Sequence, residues 1–218
     1  LTPVYVHEFG HSLGIDHSGF RNLHEGVLEE YGSGQSALGG GLEMGSLNAA
    51  DKAMFGWINS SNIYDASSGG TWTITHIDDS DAGTIRIPML NGENWWLTNR
   101  GGKVEIVHTY PFDDQPGVTG GIGTVAFDAS PETQTVMGGF DSNLHVGRSW
   151  TDPSGAIHLT LVSTVGNTVT VEVNIGEFPS NTAPAILNVS AILVSTAPHV
   201  YDFSVTTSDV DGDDLSVF

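Results

Sequence analysis

The sequence predicts an α+β protein that is mostly β, organised as three consecutive segments. Residues 1–58 contain helix signals separated by loops, whereas short β-prone runs alternate with turn clusters over residues 59–178. A linker rich in Pro, Ser and Asn then leads into further strand-like runs over residues 179–218. We therefore expect a helical N-terminal domain, an antiparallel β-sandwich of the jelly-roll type, and the start of a further β-module.

Helix signals are confined to the first segment. Thr2–Leu13 is the first predicted helix, and Arg21–Glu30 is the second. The glycine-rich stretch that follows is predicted to be a loop. Asn48 is the predicted cap of a short helix that runs to Phe55, with Asp51 three positions after the cap.

Strand signals dominate the rest of the chain. The predicted strands of the second segment are Thr71–Ile77, Thr84–Pro88, Trp95–Thr98, Val104–Tyr110, Thr124–Phe127, Ile157–Val162 and Thr168–Ile175. In the last of these, Val169, Val171 and Val173 alternate with polar residues, which is the period of a half-buried strand. Beyond the linker, strands are expected over Ala185–Val194 and Val200–Thr206.

Composition and charge narrow the classes of function. Hydrophobic residues make up 39% of the 218 residues, enough for a globular core. Acidic residues outnumber basic ones 26 to 6, for a formal charge of -20. Such a surface repels nucleic acids and anionic membranes, so neither is an expected partner; adaptation to a salty medium explains most of the charge. The chain has no Cys, which excludes disulfides and thiolate metal sites.

The segment from His7 to His17 matches the pattern HExxHxxGxxH at every fixed position. On a helix, His7 and His11 lie one turn apart on the same face, so both imidazoles can reach one ion. Glu8 lies beside them and can hold a water molecule against that ion. Gly14 can adopt a positive φ, which ends the helix and lets His17 approach as a third ligand. Three imidazoles leave a fourth position open, as a catalytic zinc site requires.

This segment resembles the zinc-binding helix of the metzincin peptidases. Metzincins also have a tight turn with a Met beneath the metal, and Met44 lies at a suitable distance downstream. The surrounding motifs resemble those of the gametolysin-like and immune inhibitor A-like peptidases: Glu29-Glu30-Tyr31-Gly32, Met44-Gly45, Asn48-Ala49-Ala50-Asp51-Lys52 and Gly56-Trp57-Ile58. Ser33 departs from this pattern, in which Asp is common. The resemblance implies that residues 1–58 are the C-terminal half of a zincin catalytic domain.

The resemblance also implies a mechanism. His7, His11 and His17 hold zinc, which lowers the pKa of its bound water to about 7. Glu8 takes the proton as general base and returns it to the leaving amine, while Met44 is a structural floor and not a ligand.

Two further residues near the motif have alternative interpretations. Tyr31 is either the group that stabilises the oxyanion or a packed loop aromatic. Asp16 either orients a neighbouring ligand through a hydrogen bond or is solvated. The other histidines are interpreted as structural: His24, His76, His108, His145, His158 and His199.

An acidic run near the C-terminus is a candidate calcium site. Asp209, Asp211 and Asp213 have a spacing that suits oxygen ligation of calcium, and the run is similar to loops of cadherin-like and other Ig-like modules in exported bacterial proteins. It lacks the closing Glu of an EF-hand. The alternatives are a calcium site and a plain acidic turn.

These features leave two classes of function. The first is a secreted zinc endopeptidase acting on a protein or glycoprotein, such as a cell-wall glycoprotein or its own chain. The second is a cell-surface adhesion or carbohydrate-binding protein with a vestigial protease domain. Glu8 favours the enzyme, because a decayed site most readily loses its general base.

The chain begins with Leu1, six residues before His7. We therefore interpret it as a fragment of a longer exported protein whose signal peptide lies outside this sequence. The sheet that precedes the zinc helix in metzincins is missing, so we expect the isolated fragment to bind zinc weakly and to show little proteolysis.

Overall fold

A computed structural model of the chain describes residues 3–23, 25–40, 46–110, 122–131, 141–176, 185–196 and 199–208. The chain divides into two compact units, Leu1–Gly176 and Glu177–Phe218. In the described part of the first unit, the helices are α1 (Pro3–Ser12) and α2 (Ala49–Met54), with a short 3₁₀ helix at Ser60–Asn62. The strands of this unit are β1 (His17–Asn22), β2 (Val27–Glu29), β3 (Ile63–Asp65), β4 (Gly70–Thr75), β5 (Thr84–Pro88), β6 (Asn94–Arg100), β7 (Lys103–Thr109), β8 (Ile122–Phe127), β9 (Ser149–Thr151), β10 (Ile157–Val165) and β11 (Thr168–Ile175).

The abundance of strands confirms the prediction of a mostly β protein. Thr84–Pro88 and Thr168–Ile175 begin and end at the predicted residues. Val169, Val171 and Val173 are buried while the residues between them are partly exposed, so the period of two on β11 is confirmed.

The first unit contains two sheets. The larger has the order β2-β1-β8-β7-β6-β5-β3, and the smaller has the order β4-β11-β10-β9. The smaller sheet is antiparallel, whereas the larger is mixed, because β1 runs parallel to β8 and β3 runs parallel to β5. Residues 17–29 thus share a sheet with strands from residues 63–127, across the predicted boundary at residue 58. The unit ends at Gly176, close to the predicted boundary at residue 178.

The main hydrophobic core combines residues of both sheets. On β6, Trp95 and Leu97 belong to this core, while Trp96 between them belongs to a second cluster on the other face. The other strand residues of the main core are Ile74, Ile85, Ile87, Val104, Ile106, Val125, Phe127, Trp150, Ile157, Leu159, Leu161, Val169, Val171 and Val173. Burial of a side chain of this size contributes about 1.5–3 kcal/mol. The sandwich is therefore the main source of stability in the first unit.

Helix α2 covers the outer face of the larger sheet. Its Ala49 and Ala50 pack with Trp96, and the cluster also includes Phe20, Ile58, Ile77, Val107 and Ala126. The predicted cap is confirmed, since the Asn48 side chain accepts a hydrogen bond from the Asp51 backbone N–H at 3.0 Å.

The predicted helix over Arg21–Glu30 is wrong. Phe20–Asn22 instead pair antiparallel with Val27–Glu29, with Arg21 opposite Leu28, and Gly26 directly before β2 has a φ of 72°. Phe20 is buried against the outer layer of the larger sheet. Pairing of β1 with β8, a strand about a hundred residues away, decides this structure, and local sequence carries no signal for it.

The second unit contains a two-stranded antiparallel ribbon in its described part. Strand β12 (Ala185–Thr196) begins at the predicted residue and ends two residues later than predicted, whereas β13 (His199–Ser208) is longer than the predicted run at both ends. Several of its large apolar side chains are exposed: Ile186, Leu187, Val189, Ile192, Leu193, Val194, Tyr201 and Val205. Across both units, none of the helices described here is long and apolar enough to cross a membrane.

A buried group of charges connects α2 to the larger sheet. Asp51 on α2 is 4% exposed and Glu105 on β7 is 2% exposed. The side chain of Arg100 donates from Nε to Glu105 Oε2 at 2.9 Å. Burial, followed by repulsion from Glu105, raises the pKa of Asp51 to about 7, and Arg100 offsets this only in part. Within the described structure, Asp51 Oδ2 and Glu105 Oε1 have no hydrogen-bond partner, so the fold favours a protonated Asp51.

We predict that Asp51→Asn stabilises the protein at pH 8 and has little effect near pH 4. Because the pKa of Asp51 is higher in the folded state, its ionisation penalises folding progressively between about pH 4 and pH 7, and fully above pH 7. Three pKa units correspond to about 4 kcal/mol, so the melting temperature should rise by several degrees at pH 8. Thermal unfolding at both pH values tests this, with Asp81→Asn at an exposed position as the control. The same gain at both pH values would contradict the assignment.

Candidate metal centre

A small apolar cluster fixes the position of α1. Gly10 faces Leu38, whose side chain would lie 2.9 Å from a Cβ at that position. Leu38 is fully buried and packs with Ile15. The helix ends before Gly14, which has a φ of 86° in agreement with its predicted role. The chain then enters β1, which begins at His17.

The structure brings the rings of His7, His11 and His17 together. One ring atom from each lies within 4.8 Å of the others, and the three could hold a metal ion. The ring centroids of His7 and His11 are 4.6 Å apart, those of His11 and His17 4.7 Å, and those of His7 and His17 5.5 Å. All three residues are partly exposed, so the group is accessible from solvent.

Each ring is oriented by a hydrogen bond from its Nδ1 atom. The acceptors are the carbonyl of Ala37 for His7 at 2.9 Å, the carbonyl of Ile15 for His11 at 2.8 Å, and Oε1 of Glu30 for His17 at 3.0 Å. A carbonyl or carboxylate oxygen only accepts, so Nδ1 carries the proton in all three rings. Such partners fix the tautomer and plane of histidines that bind metals.

The remaining ring nitrogens form a group that could hold a cation. A neutral imidazole protonated at Nδ1 carries a lone pair at Nε2, and the Nε2 atoms of His7 and His11 are only 3.0 Å apart. Two lone pairs at this distance repel each other unless a proton or a metal ion lies between them. Tetrahedral zinc holds its nitrogen ligands about 3.3 Å apart. The residues therefore fit zinc, although imidazole also suits copper, iron and nickel.

Glu8 follows His7 on α1 and is exposed. Its carboxylate makes no hydrogen bond or ion pair with the residues that the structure describes. It lines an open groove on the outer side of α1 together with Tyr5, Val6, Phe9 and Ser12. A carboxylate without a protein partner can accept a proton from a water molecule.

Tyr31 and Asp16 lie on different sides of the histidines. The ring of Tyr31 is 4.0 Å from the ring of His17 and 6.2 Å from that of His7, so Tyr31 forms an aromatic wall beside the site. Tyr31 is 49% exposed, and its place beside the rings is compatible with both interpretations, an oxyanion stabiliser and a loop aromatic. Asp16 lies against Gly123 and lines a separate cavity. The carboxylate that orients His17 is Glu30, and not Asp16.

Several predicted site residues lie outside the described residues. These are Met44, Asp209, Asp211 and Asp213, so the Met-containing turn and the calcium site stay predictions. Among the described residues, one cluster of three or more potential ligand side chains could hold a metal ion, and it consists of His7, His11 and His17.

Glu30 belongs to the site although the sequence does not predict it. Glu30 is 13 positions from His17, and this separation is not a ligand spacing on a helix or a strand. The hairpin of β1 and β2 brings the two together, but the sequence was interpreted there as a helix. In the sequence, Glu30 belongs to the Glu29-Glu30-Tyr31-Gly32 motif. That motif resembles the one in related peptidases but does not indicate what Glu30 does.

A series of hydrogen bonds connects Arg100, which belongs to the buried group of charges, with His7. Arg100 donates from Nη1 to Ser46 Oγ at 2.9 Å and from Nη2 to the Leu47 carbonyl at 3.4 Å. The Ala37 N–H donates to the Ser46 carbonyl at 3.3 Å, and the Ala37 carbonyl accepts the proton of His7. The position of His7 therefore depends on Arg100 through the loop between them.

Comparisons with known proteins do not assign the chain to a family. No protein-family model, no curated protein and no solved structure matches it. The indications of its activity are the histidine triad and the hydrogen bonds that orient it.

We predict that Glu30→Gln weakens zinc binding by about 10–100-fold without unfolding the protein. The carboxylate makes Nε2 of His17 a better donor to the metal, whereas a neutral amide still accepts the Nδ1 proton but does so more weakly. Competition with a chromophoric chelator at pH 7 measures the affinity. The matched control is Glu29→Gln, at the neighbouring exposed position on β2. Unchanged affinity for Glu30→Gln, or an equal loss for both variants, would show that Glu30 does not support the ligand.

Proposed function

We propose that this protein is a zinc-dependent endopeptidase. The observation that carries the proposal is the convergence of three ring nitrogens, from His7, His11 and His17. Glu8 follows His7 on α1, and its carboxylate has no partner among the described residues. Three imidazoles leave a coordination position for water or substrate, which separates a catalytic zinc site from a closed structural one.

Zinc, when bound, would lower the pKa of a water molecule to about 7 and polarise a substrate carbonyl. Glu8 accepts the proton that this water loses as its oxygen attacks the peptide carbonyl. Glu8 then donates the proton to the leaving nitrogen as the peptide C–N bond breaks, which leaves a carboxylic acid and an amine. The Nδ1 protons of the three histidines stay on their rings, in hydrogen bonds to the three acceptors, and take no part.

The sequence resemblance supports the same proposal. The pattern HExxHxxGxxH, followed by Met44, resembles the metzincin peptidases of the gametolysin-like and immune inhibitor A-like groups. On this basis we propose that residues 1–58 belong to a zincin catalytic domain and that the protein is exported. The substrate class is a protein or glycoprotein.

The alternative is an adhesion or carbohydrate-binding protein with a vestigial metal site. Such a site is free to lose its general base and the partners that orient its ligands. Glu8, the three imidazoles and all three Nδ1 acceptors are present together. This completeness favours the endopeptidase.

We predict that Glu8→Gln reduces peptide hydrolysis at least about 100-fold, because general acid–base catalysis contributes roughly 10²–10⁴-fold. Zinc stoichiometry should be unchanged, since Glu8 is not a ligand. The measurement is cleavage of a fluorogenic peptide library by the natural protein, with metal content determined on the same samples.

The control for this experiment is Glu172→Gln on β11, outside the metal site. It should keep both zinc and activity. Zinc retained with full activity in Glu8→Gln would remove Glu8 as the base, and absence of zinc from the wild-type protein would refute the metal centre itself.

A further inference from the structure

A second cavity lies beside the metal centre, in the angle between α2 and the outer face of the larger sheet. Its volume is about 170 Å³. Its lining comes from the loop before β1, from α2 and from the ends of three strands: Gly14, Ile15, Asp16, Ala50, Asp51, Met54, Trp96, Thr109, Tyr110, Gly123 and Thr124. A cavity of about 150 Å³ accommodates benzene, so this one has room for a chain of five or six heavy atoms.

Asp51 makes this cavity chemically unusual. It lines the cavity, yet the residue is 4% exposed, and no hydrogen bond to its carboxylate is found in the part of the chain that is described. A buried carboxylate without a donor costs more free energy than almost any other polar group in a protein. A ligand that supplies a charged N–H donor would remove this cost.

The charges around Asp51 select a cationic ligand. Asp16 is a second carboxylate in the lining, which contains no Lys or Arg. On the sheet side, the charge of Arg100 is already shared with Glu105. Lys52 follows Asp51 on α2, but its ammonium group binds Asp78 at 2.7 Å. The described lining therefore contains two carboxylates and no cationic side chain.

The walls of the cavity select an unbranched aliphatic stem. Ile15, Ala50, Met54 and Trp96 supply apolar surface, and an aromatic ring such as that of Trp96 also attracts an ammonium group. The side chain of lysine combines four methylene groups with a terminal ammonium and matches both the apolar walls and the carboxylates. A guanidinium group is broader and prefers a bidentate carboxylate partner.

We propose that this cavity binds the side chain of a lysine residue in a peptide ligand, with Asp51 as the counter-ion of its ammonium group. The cavity shares a wall with the metal centre, because the Ile15 carbonyl accepts the Nδ1 proton of His11 and Asp16 precedes His17. The statement that the peptide is a substrate rests on the proposed endopeptidase function, whereas lysine binding does not.

The test compares two small ligands on metal-free protein at pH 8. Nα-acetyl-lysine amide carries the ammonium group, and Nα-acetyl-norleucine amide has a similar stem without it. Chemical-shift titration should show at least about a tenfold preference for the lysine derivative, and Asp51→Asn should abolish this preference. Asp81→Asn, at an exposed position, should keep it. Because the pKa of Asp51 is about 7, the preference should also weaken at pH 5.5, where its carboxyl holds a proton.

Equal binding of the two ligands by the wild-type protein, or an unchanged preference in Asp51→Asn, would overturn the proposal. A second variant, Met54→Trp, covers the case in which Asp51→Asn does not fold. Met54 lines the cavity and is 54% exposed, so a Trp at this position should fill the cavity and prevent binding of the lysine derivative. Retained lysine binding in that variant also refutes the site. The titration measures ligand binding without zinc and without peptide hydrolysis. Its result therefore tests lysine binding even if the protein is not an endopeptidase.

Discussion

The parallel pairing of β1 with β8 is the interaction on which the candidate metal centre depends. His17 is the first residue of β1, and its backbone pairs with Ile122 at the start of β8. The next residue, Ser18, is buried and contacts Thr124 through their hydroxyl oxygens at 2.7 Å. This pairing closes a loop of about a hundred residues, so its entropic cost must be offset by the sandwich core. The third histidine is therefore positioned by a β-sheet whose stability comes from elsewhere in the unit.

The polar contacts between α2 and the sheet extend this dependence to the other histidines. The Asn48 amide donates to Ser18 Oγ and Thr124 Oγ1, while its carbonyl oxygen caps α2. Arg100 holds the loop that leads to Ala37, which orients His7. Asn48, Ser18 and Thr124 are buried, so the contacts among them are stronger than they would be in water and their loss is more costly. The metal centre and the outer layer of the sheet thus behave as one cooperative structure.

The histidine triad and the Asp51 cavity are both suited to binding a cation. The histidine triad offers nitrogen ligands to a cation, and the described lining of the Asp51 cavity contains two carboxylates, in a chain with a formal charge of -20. The excess of carboxylates raises the local concentration of cations within a Debye length of roughly 8–10 Å. The same excess leaves few basic side chains to fill these sites internally. Arg86, Arg100 and Lys52 are each already bound to a carboxylate.

Features set by near neighbours in the chain could be predicted from sequence. The spacing of His7 and His11, the turn at Gly14, the Asn48 cap and the alternation on β11 are of this kind, because helical and strand periods are local. Tertiary structure alone decided that Arg21–Glu30 forms a hairpin, that Glu30 orients His17 and that Asp51 is buried without a donor. The hairpin depends on pairing with β8 about a hundred residues away, the contact of Glu30 with His17 depends on that hairpin, and Asp51 is buried near Glu105 of β7. Local propensity has no information about such long-range contacts.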